Sequence, residues 1–262
     1  MRKVVVITGA SAGIGLEIAK QMIKKEFIVY SLSRRIAPAK EIITIETDVT
    51  NPDSVKKAIS KIFEQEKRID ILINNAGMGI SGSIEDTILE DAKYIFDVNF
   101  FGAFLVSREV VPIMRTIGGG TIVNVSSVAA SISIPFQSFY SATKAALTSL
   151  SDSLRSEVKP FNIKVVTALP GDVKTDFTVS RKKNKVNSAV YESRIEKSVA
   201  TMEKDEQNGI PSNFAAKVVV KMATKKNPPL NFVIGGKYKI FVFLLKVLPQ
   251  RFVRFIVDKM YG

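Results

Sequence analysis

The sequence contains no cysteine and no histidine. The first absence removes disulfides, thiolate nucleophiles and zinc sites built on sulfur. The second removes any triad with an imidazole base, and no metal site is expected. Proton transfer near neutral pH then falls to a Tyr, Lys, Asp or Glu whose pKa its surroundings have moved. Acid is also scarce: 25 Asp and Glu stand against 38 Lys and Arg, a formal charge of +13. So basic a chain suits a polyanionic partner such as anionic lipid or a phosphorylated ligand, or simply carries a lysine-rich solvated surface. Nothing resembles a nucleic-acid-binding motif and no aromatic stripe interleaves the basic residues, so nucleic acid is not an expected partner. Long apolar runs are missing too. None reaches the ~20 residues that span a bilayer, and Val4–Ile7 is too short for a signal-peptide core. The expected location is cytoplasmic, with membrane association left open for the tail discussed below.

What is present is a chain of 262 residues, 46% apolar and 24% charged, enough for one large globular domain over 1–262. Runs rich in Val and Ile mark strands at Lys3–Thr8, Phe27–Ser33, Ile42–Thr47, Asp70–Asn74, Gly120–Ser126, Ile163–Leu169 and Leu230–Ile234. Their apolar residues fall on successive positions, as in parallel strands buried on both faces. Helical periods lie between them, at Gly13–Lys25, Pro52–Glu66, Glu85–Ile117, Phe139–Lys159 and Ser212–Thr224. Asn51-Pro52-Asp53 is a helix start, since proline is tolerated in the first turn. The alternation predicts an α/β, doubly wound Rossmann-type fold with a parallel sheet of seven strands. It breaks between Thr175 and Pro211, where a basic cluster, Arg181-Lys-Lys-Asn-Lys185, sits in a stretch with little periodicity. Residues 176–211 read as an irregular insert serving as a substrate lid.

The first strand runs into Gly9-x-x-x-Gly13-x-Gly15 and then a helix. Glycines there allow a sharp turn and close approach of backbone to a pyrophosphate, which meets the free N–H groups of the helix start. Further along stand Asp48-Val49, Asn74-Asn-Ala-Gly77, Asn99, Ser127, Tyr140-Ser-Ala-Thr-Lys144, and Pro170-Gly171 followed by Thr175. In this order, the motifs resemble the short-chain dehydrogenase/reductase family over about residues 3–175. The resemblance implies an oxidoreductase that moves hydride between a nicotinamide cofactor and a carbonyl or alcohol. It implies a catalytic set of Asn99, Ser127, Tyr140 and Lys144. The cofactor contacts would be Gly9, Ser11, Gly13, Ile14, Gly15, Ser33, Arg34, Arg35, Asp48, Val49, Asn75, Ala76, Gly77, Tyr140, Lys144, Pro170, Gly171, Val173 and Thr175.

Cofactor choice is read after the second strand, at Ser33-Arg34-Arg35. An acid there would bond the 2′-hydroxyl of NAD, whereas a guanidinium suits the 2′-phosphate of NADP through forked donors. NADP(H) is therefore expected, with Arg34 as the main contact. Tyr140 and Lys144 fall one turn apart on one helix face. A free phenol titrates near ~10. The Lys144 ammonium and an oxidised nicotinamide would favour phenolate, and a drop of about 3 units corresponds to ~4 kcal/mol. Ser127 would hydrogen-bond the substrate oxygen. Strand alternation sends its neighbour Ser126 to the other face. By resemblance, Lys144 would also contact the nicotinamide ribose and Asn99 would hold a water linking Lys144 to solvent.

The substrate, a small carbonyl or alcohol, is less legible. Ile132, Ile134, Pro135, Phe136 and Phe177 lie near the site motifs and make an apolar pocket plausible, unless they only pack the core. Residues 237–262 form an apolar, basic extension that either caps the pocket, packs on another subunit or lies in a membrane interface. A loose likeness of this tail to family members acting on steroids, retinoids or other lipids favours a lipophilic substrate. The resemblance also implies a homodimer or homotetramer paired through the helices near 85–117 and 139–159. The competing reading is an NADP(H)-binding regulatory protein without turnover, which would need the nucleotide turn but not Tyr140 and Lys144.

Overall fold

In the computed structural model, residues 2–184 and 187–261 are described. Lys185, the end of the basic cluster, lies outside them. Among the described residues seven strands form one sheet: β1 (Val4–Thr8), β2 (Ile28–Ser33), β3 (Ile42–Glu46), β4 (Ile71–Asn74), β5 (Gly120–Val125), β6 (Ile163–Pro170) and β7 (Asn231–Ile234). Their spatial order is β7-β6-β5-β4-β1-β2-β3, and every pairing is parallel. The doubly wound fold expected from the alternation is the fold observed. In β1, Val4 and Val6 point to one face while Val5 and Ile7 point to the other, and all four are buried. That double burial is why the strand reads as an unbroken apolar run.

Helices α1 (Gly13–Ile23), α2 (Pro52–Glu66), α3 (Leu89–Phe96), α4 (Gly102–Thr116), α5 (Ser138–Val158), α6 (Glu192–Gln207), α7 (Ser212–Ala223), α8 (Gly236–Val247) and α9 (Gln250–Tyr261) surround the sheet. Ile18 and Met22 of α1 and Val219 and Val220 of α7 share one core layer. Val55, Ile59 and Ile62 of α2, Val106 and Val110 of α4, and Val158 of α5 share the other. The start of α2 is as expected: the Asn51 carboxamide accepts from the Asp53 and Ser54 N–H groups at 2.9 and 3.0 Å.

Two expectations need correction. The helix expected over Glu85–Ile117 begins at Leu89, and a π-helical turn at Asp97–Phe101 divides it into α3 and α4. The insert after β6 is not irregular, because it contains the sixteen-residue α6. Its Ile195, Val199 and Met202 are buried at helical spacing against Phe136, a stripe obscured in the sequence by Lys and Glu on the remaining positions. The tail forms two helices. Pro249 separates α8 from α9, and the Tyr261 hydroxyl of α9 donates to Asp205 on α6 at 3.1 Å.

The chain reverses its winding between β1 and β4. A crevice opens at such a switch point, beyond the C-terminal strand ends. Gly9, Arg34, Asn75, Ser127 and Gly171 all sit in the segments that leave those ends.

Candidate active site

One cleft of about 350 Å³ runs along these strand ends. At its far end stand Ser33, Arg34 and Arg35; in the middle lie Gly9, Ser11, Gly13, Ile14, Asp48, Val49, Asn75, Ala76 and Gly77. Ser127, Tyr140, Lys144, Pro170, Gly171, Val173 and Thr175 close the near end. Of the residues expected from sequence to be catalytic or to contact the cofactor, only Gly15 and Asn99 are missing from the wall. Gly15 lies behind the turn, packed on the Gly9 carbonyl.

The middle of the cleft is formed by two closely apposed loops. Gly9 holds φ +70°, and a Cβ there would approach Ala76 Cα to 3.0 Å. A side chain would therefore part the two loops. They are strapped together by the Thr8 hydroxyl, which accepts from the N–H groups of Asn75 and Ala76 at 3.0 and 2.9 Å. The Asn75 carboxamide donates back to the carbonyls of Thr8 and Gly9. Ala12 precedes α1, with no side-chain cap and no acid in the first turn. The first N–H groups of α1 thus lack a side-chain partner, and the positive end of the helix dipole faces the cleft. A pyrophosphate fits that cradle. At the far end the Arg34 guanidinium is exposed and steadied by the Tyr94 hydroxyl, to which it donates at 3.1 Å. Tyr94 was not foreseen; a lone tyrosine on a helix carries no motif.

At the near end, α5 puts Tyr140 and Lys144 on one face, the Lys144 ammonium lying 5.6 Å from the phenol ring centroid. Lys144 is buried and donates to the Val125 carbonyl at 3.0 Å. Burial brings its pKa down to about 8. The side chains around the phenol pull on it in both directions. Burial pushes Tyr140 up to about 12, the Ser127 hydroxyl and Arg181 oppose the rise, and Glu206 and Asp172 add to it. The protein's own groups therefore hold Tyr140 as neutral phenol rather than phenolate. The reason is that desolvation of the anion outweighs the neighbouring positive charge.

The Ser127 hydroxyl accepts from Ala129 N–H at 3.1 Å and is left facing the cleft. Ser126 is engaged elsewhere, donating to the Lys144 carbonyl at 2.8 Å and meeting Thr148 at 3.0 Å. Asn99 sits in the π turn, where side chains are re-aimed relative to an α-helix. Its carboxamide donates to the Met78 carbonyl and the Thr143 hydroxyl at 2.9 and 3.1 Å and accepts from Met78 N–H at 2.8 Å. It fixes the loop beside Lys144 without reaching the cleft.

The substrate side mixes apolar and acidic groups. Phe177 stands 5.7 Å from the Tyr140 ring and, with Ile134, lines the cleft. Ile132 and Phe136 are buried and Pro135 is half-buried, and none of the three reaches the wall. Sequence reasoning missed Asp172 and Glu206, both on the wall. Glu206 pairs with the buried Arg181 and accepts from Thr178 at 2.6 Å. Asp172 accepts from the Tyr238 hydroxyl. Burial raises the pKa of both acids. The i, i+3, i+4, i+7 spacing of Ile195, Ser198, Val199 and Met202 marks the helix α6 that carries Glu206, but not Glu206 itself.

A family model described as short chain dehydrogenase matches residues 3–186. The chain is 35% identical over 266 residues to a 3-ketodihydrosphingosine reductase of Bacteroides thetaiotaomicron, covering 99% of this chain and 98% of that one. It is 30% identical to an NADPH-dependent 1-acyldihydroxyacetone phosphate reductase of Saccharomyces cerevisiae, covering 95% and 87%. A crystal structure of a short-chain dehydrogenase from Streptomyces avermitilis superposes with a TM-score of 0.84 at 29% identity, over 92% of this chain and 91% of that one.

Proposed function

Because this chain belongs to the short-chain dehydrogenase/reductase family, an oxidoreductase family that uses nicotinamide cofactors, we propose that it is an NADP(H)-dependent reductase of a lipophilic ketone or aldehyde. One observation carries the reading. The only-partly-exposed phenol of Tyr140 shares a single cleft with the uncapped start of α1 and with Arg34.

The cofactor's diphosphate would lie across the Gly9–Ile14 turn and the α1 N-terminus. Asp48 and Val49 would border the adenine, and Arg34 would take the 2′-phosphate through its forked donors. A bound nicotinamide supplies the hydride. Ser127 donates a hydrogen bond to the substrate carbonyl and holds it in line. Tyr140 delivers its proton to the oxygen as negative charge grows there. A phenol held neutral by burial suits that donor role in the reductive direction. Lys144 lies near enough to stabilise the phenolate left behind. Asn99 is a positioning residue, acting on Lys144 through the Met78 loop.

Two lines support a lipophilic substrate. Ile134 and Phe177 present apolar surface beside Tyr140, and relatives named for acyl or sphingoid substrates align over most of the chain. Residues 176–211 would act as the lid through α6. Exposed Phe104 on α4 and Phe101 at the end of the π turn before it support pairing of two copies through that helix. A regulatory protein without turnover would have no use for Tyr140 and Lys144 in the cleft. The test follows absorbance of NADPH and of NADH against a panel of short and long-chain ketones. Turnover that is fastest with NADPH and rises with substrate chain length supports the reading. A preference for NADH, or no turnover of any carbonyl, contradicts it.

A further inference from the structure

The cleft does not account for α8, and the exposed side of this helix is chemically unusual. Ile240, Phe243, Leu244 and Val247 recur at i, i+3, i+4 and i+7, which places them on one stripe. They face outward: Ile240 is 65%, Phe243 63% and Val247 59% exposed. The opposite side, with Phe241, Val242 and Leu245, is half-buried against the body. A helix that is apolar on both sides is not at rest in water. The stripe is also framed by cations. On a helical wheel Lys239 and Lys246 fall along one border and Lys237 along the other. The following helix α9 also exposes two aromatics, Phe252 and Phe255, and carries Arg251 and Lys259. Between residues 236 and 261 there are six basic residues and one acid, Asp258.

We propose that the outer face of α8 and the adjoining part of α9 dock on an anionic lipid bilayer surface. The stripe would sink into the boundary between headgroups and acyl chains, with the lysines meeting lipid phosphates, the division of labour of an interfacial helix. Among the described residues no helix is long and apolar enough to cross a membrane, so this is contact along the surface. Charge decides against the main rival occupant, a second copy of this chain. Two such faces would bring Lys237, Lys239 and Lys246 against their own duplicates, whereas an anionic surface complements every one of them. The root of α8 also ties this face to the cleft. The ring of Tyr238 packs on Gly171, leaving no room there for a side chain, and its hydroxyl holds Asp172. Both Gly171 and Asp172 line the cleft. A docked α8 therefore holds the near end of the cleft close to the lipid, from which a lipophilic substrate can enter without crossing water.

The test uses the full chain with vesicles of phosphatidylcholine alone and of phosphatidylcholine mixed with phosphatidylglycerol. The wild type should sediment with the mixed vesicles and bind the neutral ones at least ~10-fold less, and salt should weaken the binding. The variant Ile240→Gln/Phe243→Gln/Val247→Gln and the variant Lys239→Glu/Lys246→Glu should each bind mixed vesicles at least ~10-fold less. Both change exposed side chains only, so circular dichroism and NADPH oxidation with a water-soluble ketone should be unchanged. Three results would overturn the proposal: a wild type that stays in the supernatant, equal binding of wild type and triple variant, or a dimer in sedimentation velocity that the triple variant abolishes.

Discussion

Lys144 carries its ammonium where burial makes the charge costly, and this gives the site its pH dependence. Its pKa is brought down to about 8 while that of Tyr140 is pushed up to about 12. The proton that Tyr140 must deliver is thus present across the ordinary range, and Lys144 is the group that titrates within it. Below about pH 8 Lys144 is a cation able to stabilise phenolate; above it, the cation is lost. The rate of reduction, as kcat/KM, should be level below pH 8 and fall towards about 10-fold per unit above it. A rate that instead rises through that window would assign the titration to another group. Arg34 sets a second expectation. Removing its forked donors in Arg34→Ala should raise KM for NADPH about 10- to 100-fold and leave KM for NADH nearly unchanged, as steady-state kinetics with both cofactors would show. At this scale the sequence was legible wherever chemistry required a fixed residue type at a fixed interval, as in Tyr140 and Lys144. Tyr94, Asp172 and Glu206 obey no such interval. They reach the cleft through packing of separate segments, which spacing cannot express.

At the scale of elements, the π turn between α3 and α4 has a clear cause. It turns the Asn99 carboxamide towards the Met78 backbone, where it makes three hydrogen bonds with Met78 and Thr143. Asn99→Ala leaves buried polar groups without partners and should cost about 2–4 kcal/mol in urea unfolding. The same variant should lower kcat more than it raises KM for NADPH, because the loop it releases borders Lys144 and not Arg34. An unchanged unfolding midpoint would show that the bonds are replaced by water. The π turn could not be read from periodicity, and α6 only from the four positions Ile195, Ser198, Val199 and Met202. A π turn adds one residue and looks like continuous helix, and α6 buries only a narrow stripe beneath a charged surface. The strands, by contrast, are legible to within a residue or two, because burial on both faces of the central ones leaves Val and Ile at successive positions.

For the molecule as a whole, the parallel order β7-β6-β5-β4-β1-β2-β3 fixes where chemistry can happen. It gathers the segments that leave β1, β2, β4, β5 and β6 into one crevice, although they are widely separated in the chain. This was legible because strand–helix alternation admits few arrangements. Phe104, exposed on α4, should be covered in a homodimer, so Phe104→Glu should shift sedimentation velocity from dimer to monomer without altering the circular dichroism. A wild type that is already monomeric would remove that interface.

The central claim is that Tyr140 gives the proton in a cleft that also holds the dinucleotide, and Tyr140→Phe tests it most directly. The ring and its contact with Phe177 remain while the acidic hydrogen is lost. NADPH binding by fluorescence and NADPH oxidation with the best ketone should be measured on the same preparation. The account predicts unchanged binding and a kcat lowered about 10²- to 10⁴-fold. Turnover within a few-fold of the wild type, with binding intact, would contradict it.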